Sequence, residues 1–376
     1  MNPRPHHPDP RPARRTARRP WAAALVAALC LSAATACAKS ATSAQAGSAN
    51  NTAGAQQVVS ASATGSKCTY QSYAGGVPKL DITDGKTIVG FSQSESTSNP
   101  FRATETSSIT QQAQKLGVKL IQRNANADVN AQNSQIEDMI AQGAKVLIVA
   151  PEDSAGLGPA LAEAKAKKIP VLTIDRTANG TACSDFIAFL GSNFYGQAQI
   201  AADDLASATG GSAKVAILSG TPGNNVTTDR TNGFQAEIKA KYPNMTVVAS
   251  QTANFDETDG QTVMAQLLQA NPGLTAVYAE NDEMALGAIQ AIIAAGKQPG
   301  KDIKIVSIDG TQQCVQDVAS GTVYADIETN PRFGPLAFQS LEDFYGGAGV
   351  PADVIIKDSH FTQANAQQAL SGGQVY

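Results

Sequence analysis

The sequence predicts an α/β protein of two doubly wound parallel-sheet lobes, and three observations carry that prediction. Short β-branched runs recur along the chain, each followed by a stretch with helical spacing of apolar residues. The runs fall into two series of five, enough for one open sheet each. The length, 376 residues, is too great for one small core and suits two domains of ordinary size.

The first series is 87–92, 118–122, 145–150, 171–174 and 187–190; the second is 214–218, 246–250, 275–278, 303–308 and 323–327. Amphipathic stretches lie between them. In 135–141, Ile136, Met139 and Ile140 share one face; across 283–295, Met284, Leu286, Ile289, Ile292 and Ile293 make a broad apolar stripe. Strands alternating with helices form parallel sheets covered on both faces. With no long linker between the series, the first lobe is expected at 86–191 and the second at 192–329, facing one cleft, with the boundary near 191–195.

Composition narrows the function. Lys and Arg number 28 against 32 Asp and Glu, a net charge of −4. Residues 1–36 hold six Arg and one acid, so the rest carries 22 bases against 31 acids, a net of −9. An acidic body of this kind argues against nucleic acid, whose phosphates need clustered bases. The basic run Arg14-Arg15-Thr16-Ala17-Arg18-Arg19 precedes an Ala/Leu-rich segment, 21–36, shorter than the ~20 residues of a spanning helix. Residues 1–36 therefore read as a secretory signal peptide. Ala34-Thr35-Ala36-Cys37 resembles the lipobox of bacterial lipoproteins, with Cys37 the acylated residue, although Ala34 stands where Leu is usual. The other reading is ordinary signal cleavage with Cys37 incidental. Residues 38–66 hold almost no large apolar side chain and read as a flexible spacer within a tether and extension over 37–85. No C-x-x-C occurs and the exported body holds one His, His360, which reads as a surface residue. A His-based metal site or a Ser-His-Asp triad has little material, so no metal and no cofactor is expected.

Polar residues gather where the strands end: Ser92-Gln93, Ala150-Pro151-Glu152, Asp175-Arg176, Ser219-Gly220, Glu280-Asn281-Asp282 and Asp309-Gly310. Open α/β sheets bind ligands beyond the carboxyl ends of their strands. Carboxylates accept from sugar hydroxyls, Arg forks donate to two at once, and amides do both. Aromatic rings cover the C–H faces of a sugar, and Phe101, Phe255 and Phe333 are the candidates.

In order along the chain stand Gly90-Phe91-Ser92-Gln93, Asn99-Pro100-Phe101-Arg102, Thr173-Ile174-Asp175-Arg176, Arg230-Thr231-Asn232-Gly233-Phe234, Asn281-Asp282-Glu283-Met284-Ala285-Leu286-Gly287-Ala288 and Ser307-Ile308-Asp309-Gly310. This ordered set, over about 86–350, resembles the pentose- and hexose-binding proteins of bacterial ABC transporters, the ribose-binding type. Gly-Phe-Ser-Gln, Glu105-Thr106 after the aromatic-Arg pair, and Ser-Ile-Asp-Gly are most similar to the galactofuranose-binding branch. Phe101 stands where that branch usually has Trp, and Asn99-Pro100 is closer to the ribose branch.

The resemblance implies a type I periplasmic-binding-protein fold, its lobes joined by a hinge and the first completed near 330–350, with 351–376 a C-terminal tail. It implies an exported, lipid-anchored monomer that closes on a monosaccharide, galactofuranose or a related aldose first, and delivers it to a permease. Phe101 would stack on the sugar. Arg102, Asp175, Arg176, Arg230 and Asp309 would bond its hydroxyls, with Asn99 also in the site. Each has a plainer reading. Arg102 and Arg230 are solvated helix residues, Asp175-Arg176 an internal ion pair, and Asp309-Gly310 a turn. Phe255 stacks on the second ring face or sits in the core. For the pair Asn281-Asp282, capping falls to Asp282 or its neighbour and the ligand to Asn281. Thr329 and Asn330, at the last crossing, are weaker candidates. Arg230 is expected to meet a ligand rather than to fill the core. Cys68 and Cys183 both fall in the first lobe and are expected to pair. Cys314, beyond the hinge strand, is expected as a buried thiol, since a Cys183–Cys314 bridge would hinder closure. Three other functions share parts of this pattern: an enzyme with Asp175 and Asp309 as paired carboxylates, a sugar-responsive repressor, which would carry a DNA-binding head, and a sensing receptor of the same fold.

Overall fold

The computed structural model describes residues 58–61 and 67–376. The signal segment and Cys37 lie outside the described residues.

Each of the ten expected runs is a strand. The first sheet holds β1 (Val58–Ala61), β2 (Ile88–Gln93), β3 (Lys119–Asn124), β4 (Ala144–Val149), β5 (Val171–Ile174) and β6 (Phe189–Gly191), with helices α1 (Pro100–Leu116), α2 (Val129–Ala141) and α3 (Gly158–Ala166) between its parallel strands. After β6 the chain runs α4 (Phe194–Thr209), β7 (Ser212–Ser219), α5 (Asn225–Lys241), β8 (Asn244–Thr252), α6 (Glu257–Ala270), β9 (Ala276–Ala279), α7 (Asp282–Ala294), β10 (Lys304–Asp309), α8 (Gln312–Ser320) and β11 (Ala325–Glu328). Then follow α9 (Gly334–Gly346), β12 (Asp353–Ile356), β13 (His360–Thr362) and α10 (Ala366–Ser371).

The sheets repeat one topology. Their parallel cores run β3-β2-β4-β5-β6 and β8-β7-β9-β10-β11. The order reverses between β2 and β4 and between β7 and β9, where a crevice opens at the carboxyl ends. β12 pairs parallel to β6, while β1 and β13 add antiparallel edges to β12 and β11. The central strands of each sheet are buried on both faces. Along β4, Val146 and Ile148 enter one core cluster while Leu147 and Val149 enter another; along β7, Ala216 and Leu218 face away from Val215 and Ile217. This explains apolar runs without alternation.

Two expectations about the ends need correction. Residues 58–61, placed in a flexible spacer, form β1 against Ile356, Ile355 and Val354. Residues 351–376, expected as a tail, supply β12 to the first sheet and β13 and α10 to the second. A free strand edge on β12 or β11 would leave backbone groups unpaired, and these short segments cover them. The chain therefore crosses between the sheets three times, at 192–193, 329–333 and 357–359. After the second crossing, α9 packs Phe338, Leu341 and Phe344 into the core of the first sheet.

A disulfide joins Cys68 to Cys183, and Cys314 is a buried thiol. The bridge pins the segment before β2 to the first lobe, where Tyr73 is fully buried. His360 is exposed, and its Nε2 is hydrogen-bonded to Asp204 Oδ2 at 2.7 Å.

Candidate functional site

The carboxyl ends of both sheets meet around one small cavity, of about 30 Å³. Local structure puts each group there. Asn99 caps α1, its Oδ1 accepting from Phe101 N at 2.9 Å and Arg102 N at 3.4 Å, with Pro100 as the first helical residue. That cap delivers Phe101 and Arg102 to the cavity wall. Asp175 ends β5 in the left-handed region, φ 59°, and Asp309 ends β10 at φ 143°. A non-glycine residue held there costs on the order of 1–3 kcal/mol, a strain that gathers at functional sites. Phe255, φ 56°, follows β8. Its ring lies over Gly220, where a Cβ would stand 1.9 Å from the ring, so only glycine admits it. Helix α5 carries Arg230 inward: Gly233 lets it approach the backbone of Tyr195, and Phe234 stacks on Tyr278 at 4.1 Å.

Three guanidiniums and three carboxylates balance within the lining. Arg102 donates to Glu95 Oε2 at 2.9 Å, Glu105 Oε2 at 2.9 Å and Asp175 Oδ2 at 2.7 Å. Arg176 donates to Glu95 Oε1 at 2.7 Å and Glu152 Oε2 at 3.2 Å. Arg230 donates to Asp309 Oδ1 at 3.0 Å, Thr329 Oγ1 at 2.7 Å and the Glu280 carbonyl. Among the described residues, the Nε–H groups of Arg176 and Arg230 are buried without a hydrogen-bond partner. Buried donors are nearly always paired, so two orphans in one place call for a reason. The rings of Phe101 and Phe255 lie under the guanidiniums of Arg102 and Arg176, at 4.8 and 5.6 Å.

Burial and pairing compete on the acids. Burial raises Glu95, but Arg176 and Arg102 overcome it and hold the carboxyl at about 2. Burial wins at Glu105, pushed up to about 7 against Arg102, and at Asp309, pushed up to about 7 against Arg230. Burial would lower Arg102, but Asp175, Glu95 and Glu105 more than offset it.

The cavity is lined by Asn99, Phe101, Arg102, Asp175 and Arg176 from the first lobe and by Arg230, Phe255, Asn281 and Asp309 from the second. Thr329 and Asn330 lie outside the lining. Thr329 accepts from Gln197 at 2.9 Å and from Arg230, knitting the second crossing, and Asn330 Oδ1 accepts from Arg332 N at 3.0 Å. Phe333 is fully buried in the core of the first lobe, because the chain turns inward there to start α9. Asn281, not Asp282, caps α7, accepting from Met284 N at 3.0 Å while it lines the cavity. Asp282 instead accepts from Ser307 Oγ at 2.6 Å and Thr311 N at 2.7 Å. Asp175 lies 3.8 Å from Arg176 Nε and pairs more closely with Arg102.

Sequence reasoning passed over Glu95 and Val226, which also line the cavity, and Glu105, which holds Arg102. Glu95 stands two residues beyond β2, within the strand-end rule but in a serine-rich loop that drew no notice. Among the described residues, one trio of metal-donor types lies together: Asp282, Cys314 and Asp326. Burial pushes the thiol and both carboxyls up, which weakens all three as metal ligands, since a ligand must give up its proton.

Two charge-balanced half-sites on twinned sheets define a two-lobed binding protein. The chain belongs to the periplasmic binding protein domain family, whose model matches residues 89–368. It is 37% identical to the ribose import binding protein RbsB of Bacillus subtilis over 67% of this chain and 80% of that one. It is 34% identical to the galactofuranose-binding protein YtfQ of Escherichia coli over 72% and 86% of the two chains. A Mycobacterium smegmatis crystal structure in complex with β-D-fucofuranose superposes with a TM-score of 0.73 at 35% identity, covering 77% of this chain and 95% of that one.

Proposed function

We propose that this chain is the exported solute-binding protein of an ABC importer and that it captures a monosaccharide in its cleft, a furanose-form aldose with galactofuranose first. One observation carries the reading: three arginines and three carboxylates cancel around a cavity flanked by Phe101 and Phe255. Arginines already paired with carboxyl groups leave little pull on a free anion or cation but offer donors and acceptors to a neutral polyol. The named ligands of the relatives, ribose, galactofuranose and fucofuranose, support an aldose, and two of the three are furanoses. The sugar hydroxyls would take the orphaned Nε–H groups, and the rings would exchange guanidinium contact for sugar C–H faces. In this reading the three crossings act as a hinge, the two sheets with their helices move as bodies, and the closed form is what the permease meets.

A thermal-shift screen against ribose, arabinose, galactose, fructose and methyl β-D-galactofuranoside, followed by calorimetric titration of the best, tests this. An aldose or its furanoside should raise the melting temperature and bind one to one; no response across the panel overturns the reading. Anchoring through Cys37 belongs to the same proposal. Cys37→Ala should move the protein from the membrane fraction to the soluble fraction, and unchanged membrane association would exclude lipidation there.

A further inference from the structure

A second, larger cavity opens beside the first, with a volume of about 440 Å³. Small-molecule sites span roughly 300–1,000 Å³; this cavity falls in that range, and the inner one would have to widen by parting of the lobes to take a ring. The two share Glu95, Asn99 and Phe255, so they are adjoining chambers. At the threshold, Asn99 Nδ2 of the first lobe reaches the Phe255 carbonyl of the second at 3.5 Å. The first lobe supplies Ser96, Ser98 and Asn126 to the outer chamber; the second supplies Thr221, Asn254 and the acids Asp256 and Asp259. Both walls are tied down: Ala127 N donates to Ser94 O at 2.9 Å and Ala253 N to Ser219 O at 2.8 Å. Among the described residues, hydroxyls, amides and carboxylates line it beside Ala127 and Phe255, and no Lys or Arg does.

We propose that the outer chamber is a second sugar subsite, so that the protein takes a disaccharide whose first ring occupies the inner cleft. The second ring is neutral or amine-bearing, because Asp256 and Asp259 in the lining would repel a carboxylate or a phosphate. This rests on the sugar-binding reading of the inner cavity and extends it from one ring to two. Hydroxyls of the second ring meet Ser96, Ser98 and Asn126 on one wall and Thr221 and the acids on the other. A two-ring ligand therefore touches both lobes twice.

Calorimetric titration separates the possibilities. The probes are the aldose that ranks first in the panel and disaccharides that carry a neutral hexose on each of its hydroxyls in turn. At least one linkage isomer should bind within tenfold of the free aldose. Its counterpart with a uronic acid as second ring should bind at least tenfold more weakly. Ser98→Trp, which fills the chamber from an exposed position, should weaken that isomer at least tenfold and leave the free aldose within twofold. Thr221→Trp from the opposite wall serves the same purpose if the first variant melts abnormally. Every isomer binding more than tenfold below the free aldose, or both fillers sparing the disaccharide, would overturn the second subsite and leave the inner site standing. No binding by aldose or disaccharide would overturn the inner site and this inference with it.

Discussion

Arg230 shows how far a binding residue can also be a structural one. Its guanidinium is 2% exposed, donates to Asp309, Thr329, the Glu280 carbonyl and, at 3.4 Å, Gln197 Oε1, and packs 5.5 Å from the Phe194 ring. Read from sequence it was there only to meet a ligand; in the fold its removal strands a buried carboxylate. Arg230→Ala should therefore cost about 3–5 kcal/mol of stability as well as affinity, and a sugar-free melting temperature equal to wild type would contradict this. Asp175 makes a sharper test because its partner is Arg102 at 2.7 Å. Asp175→Ala and Arg102→Ala should each weaken sugar binding by about 1.5–3 kcal/mol, and the double variant by at least ~1 kcal/mol less than the sum. Asp175 with Arg176 should lie closer to additive; calorimetry giving the reverse order would mean the wrong arginine has been paired. Much of this site was legible in advance. Asp175, Arg176, Asn281 and Asp309 follow from the strand-end rule, and Phe101 with Arg102 from the family pattern. What stayed hidden was pairing: nothing periodic links Glu95 to Arg176 across 81 positions, and only the fold brings them to 2.7 Å.

At the scale of elements, the loop before α5 meets the first lobe edge-on. Ser154 N donates to the Gly223 carbonyl at 2.9 Å, and Thr177 N to Asn225 Oδ1 at 2.9 Å. Gly223 has φ +98°, and a Cβ there would stand 2.1 Å from Asp153 Oδ2 on the opposite lobe. A side chain at 223 therefore meets the Asp153 carboxylate across the lobes, on top of the strain that φ +98° imposes on any side chain within its own lobe. Closing against such a clash reduces the competent population and with it the apparent affinity. Gly223→Val should weaken sugar binding by about tenfold, the equivalent of ~1.4 kcal/mol, and enlarge the radius of gyration at saturating sugar. Asp153→Ala in the same chain should recover part of the loss; full affinity in Gly223→Val alone would dismiss the clash. Most of the ten core strands were readable because they are β-branched runs buried on both faces and followed by a helix; β3 and β8, at sheet edges, are partly exposed, and β5 runs into β6 with no helix between. β1, β12 and β13 were not: β1 and β13 are antiparallel edge strands outside the strand-then-helix alternation, and β12, between β1 and β6, leads to β13 with no helix between. The third crossing, 357–359, was lost with them.

Across the whole molecule, burial sets the response to pH. Desolvation pushes Glu105, Glu280, Glu283, Asp309 and Asp358 each up to about 7 from ordinary values of 4.5 or 3.8. Such groups hold a proton in the fold that the unfolded chain releases, so their contribution is full below about pH 4 and is lost as pH rises through 7. Glu95 runs the other way. Arg176 and Arg102 hold it at about 2 against its burial, so its contribution is full above about 4.5 and lost as pH falls toward 2. Stability should peak between these windows, near pH 5. The melting temperature at pH 8 should lie several degrees below that at pH 5, since each kcal/mol moves it by roughly 2–4 °C in a chain of this class. Asp358 ties the third crossing to the first, accepting from Ser192 Oγ at 2.8 Å and Gln197 Nε2 at 2.9 Å, so Asp358→Asn should flatten part of the slope while keeping the crossing packed. A melting temperature that climbs steadily from pH 5 to pH 8 in both proteins would mean that ion pairs, and not desolvation, govern these acids.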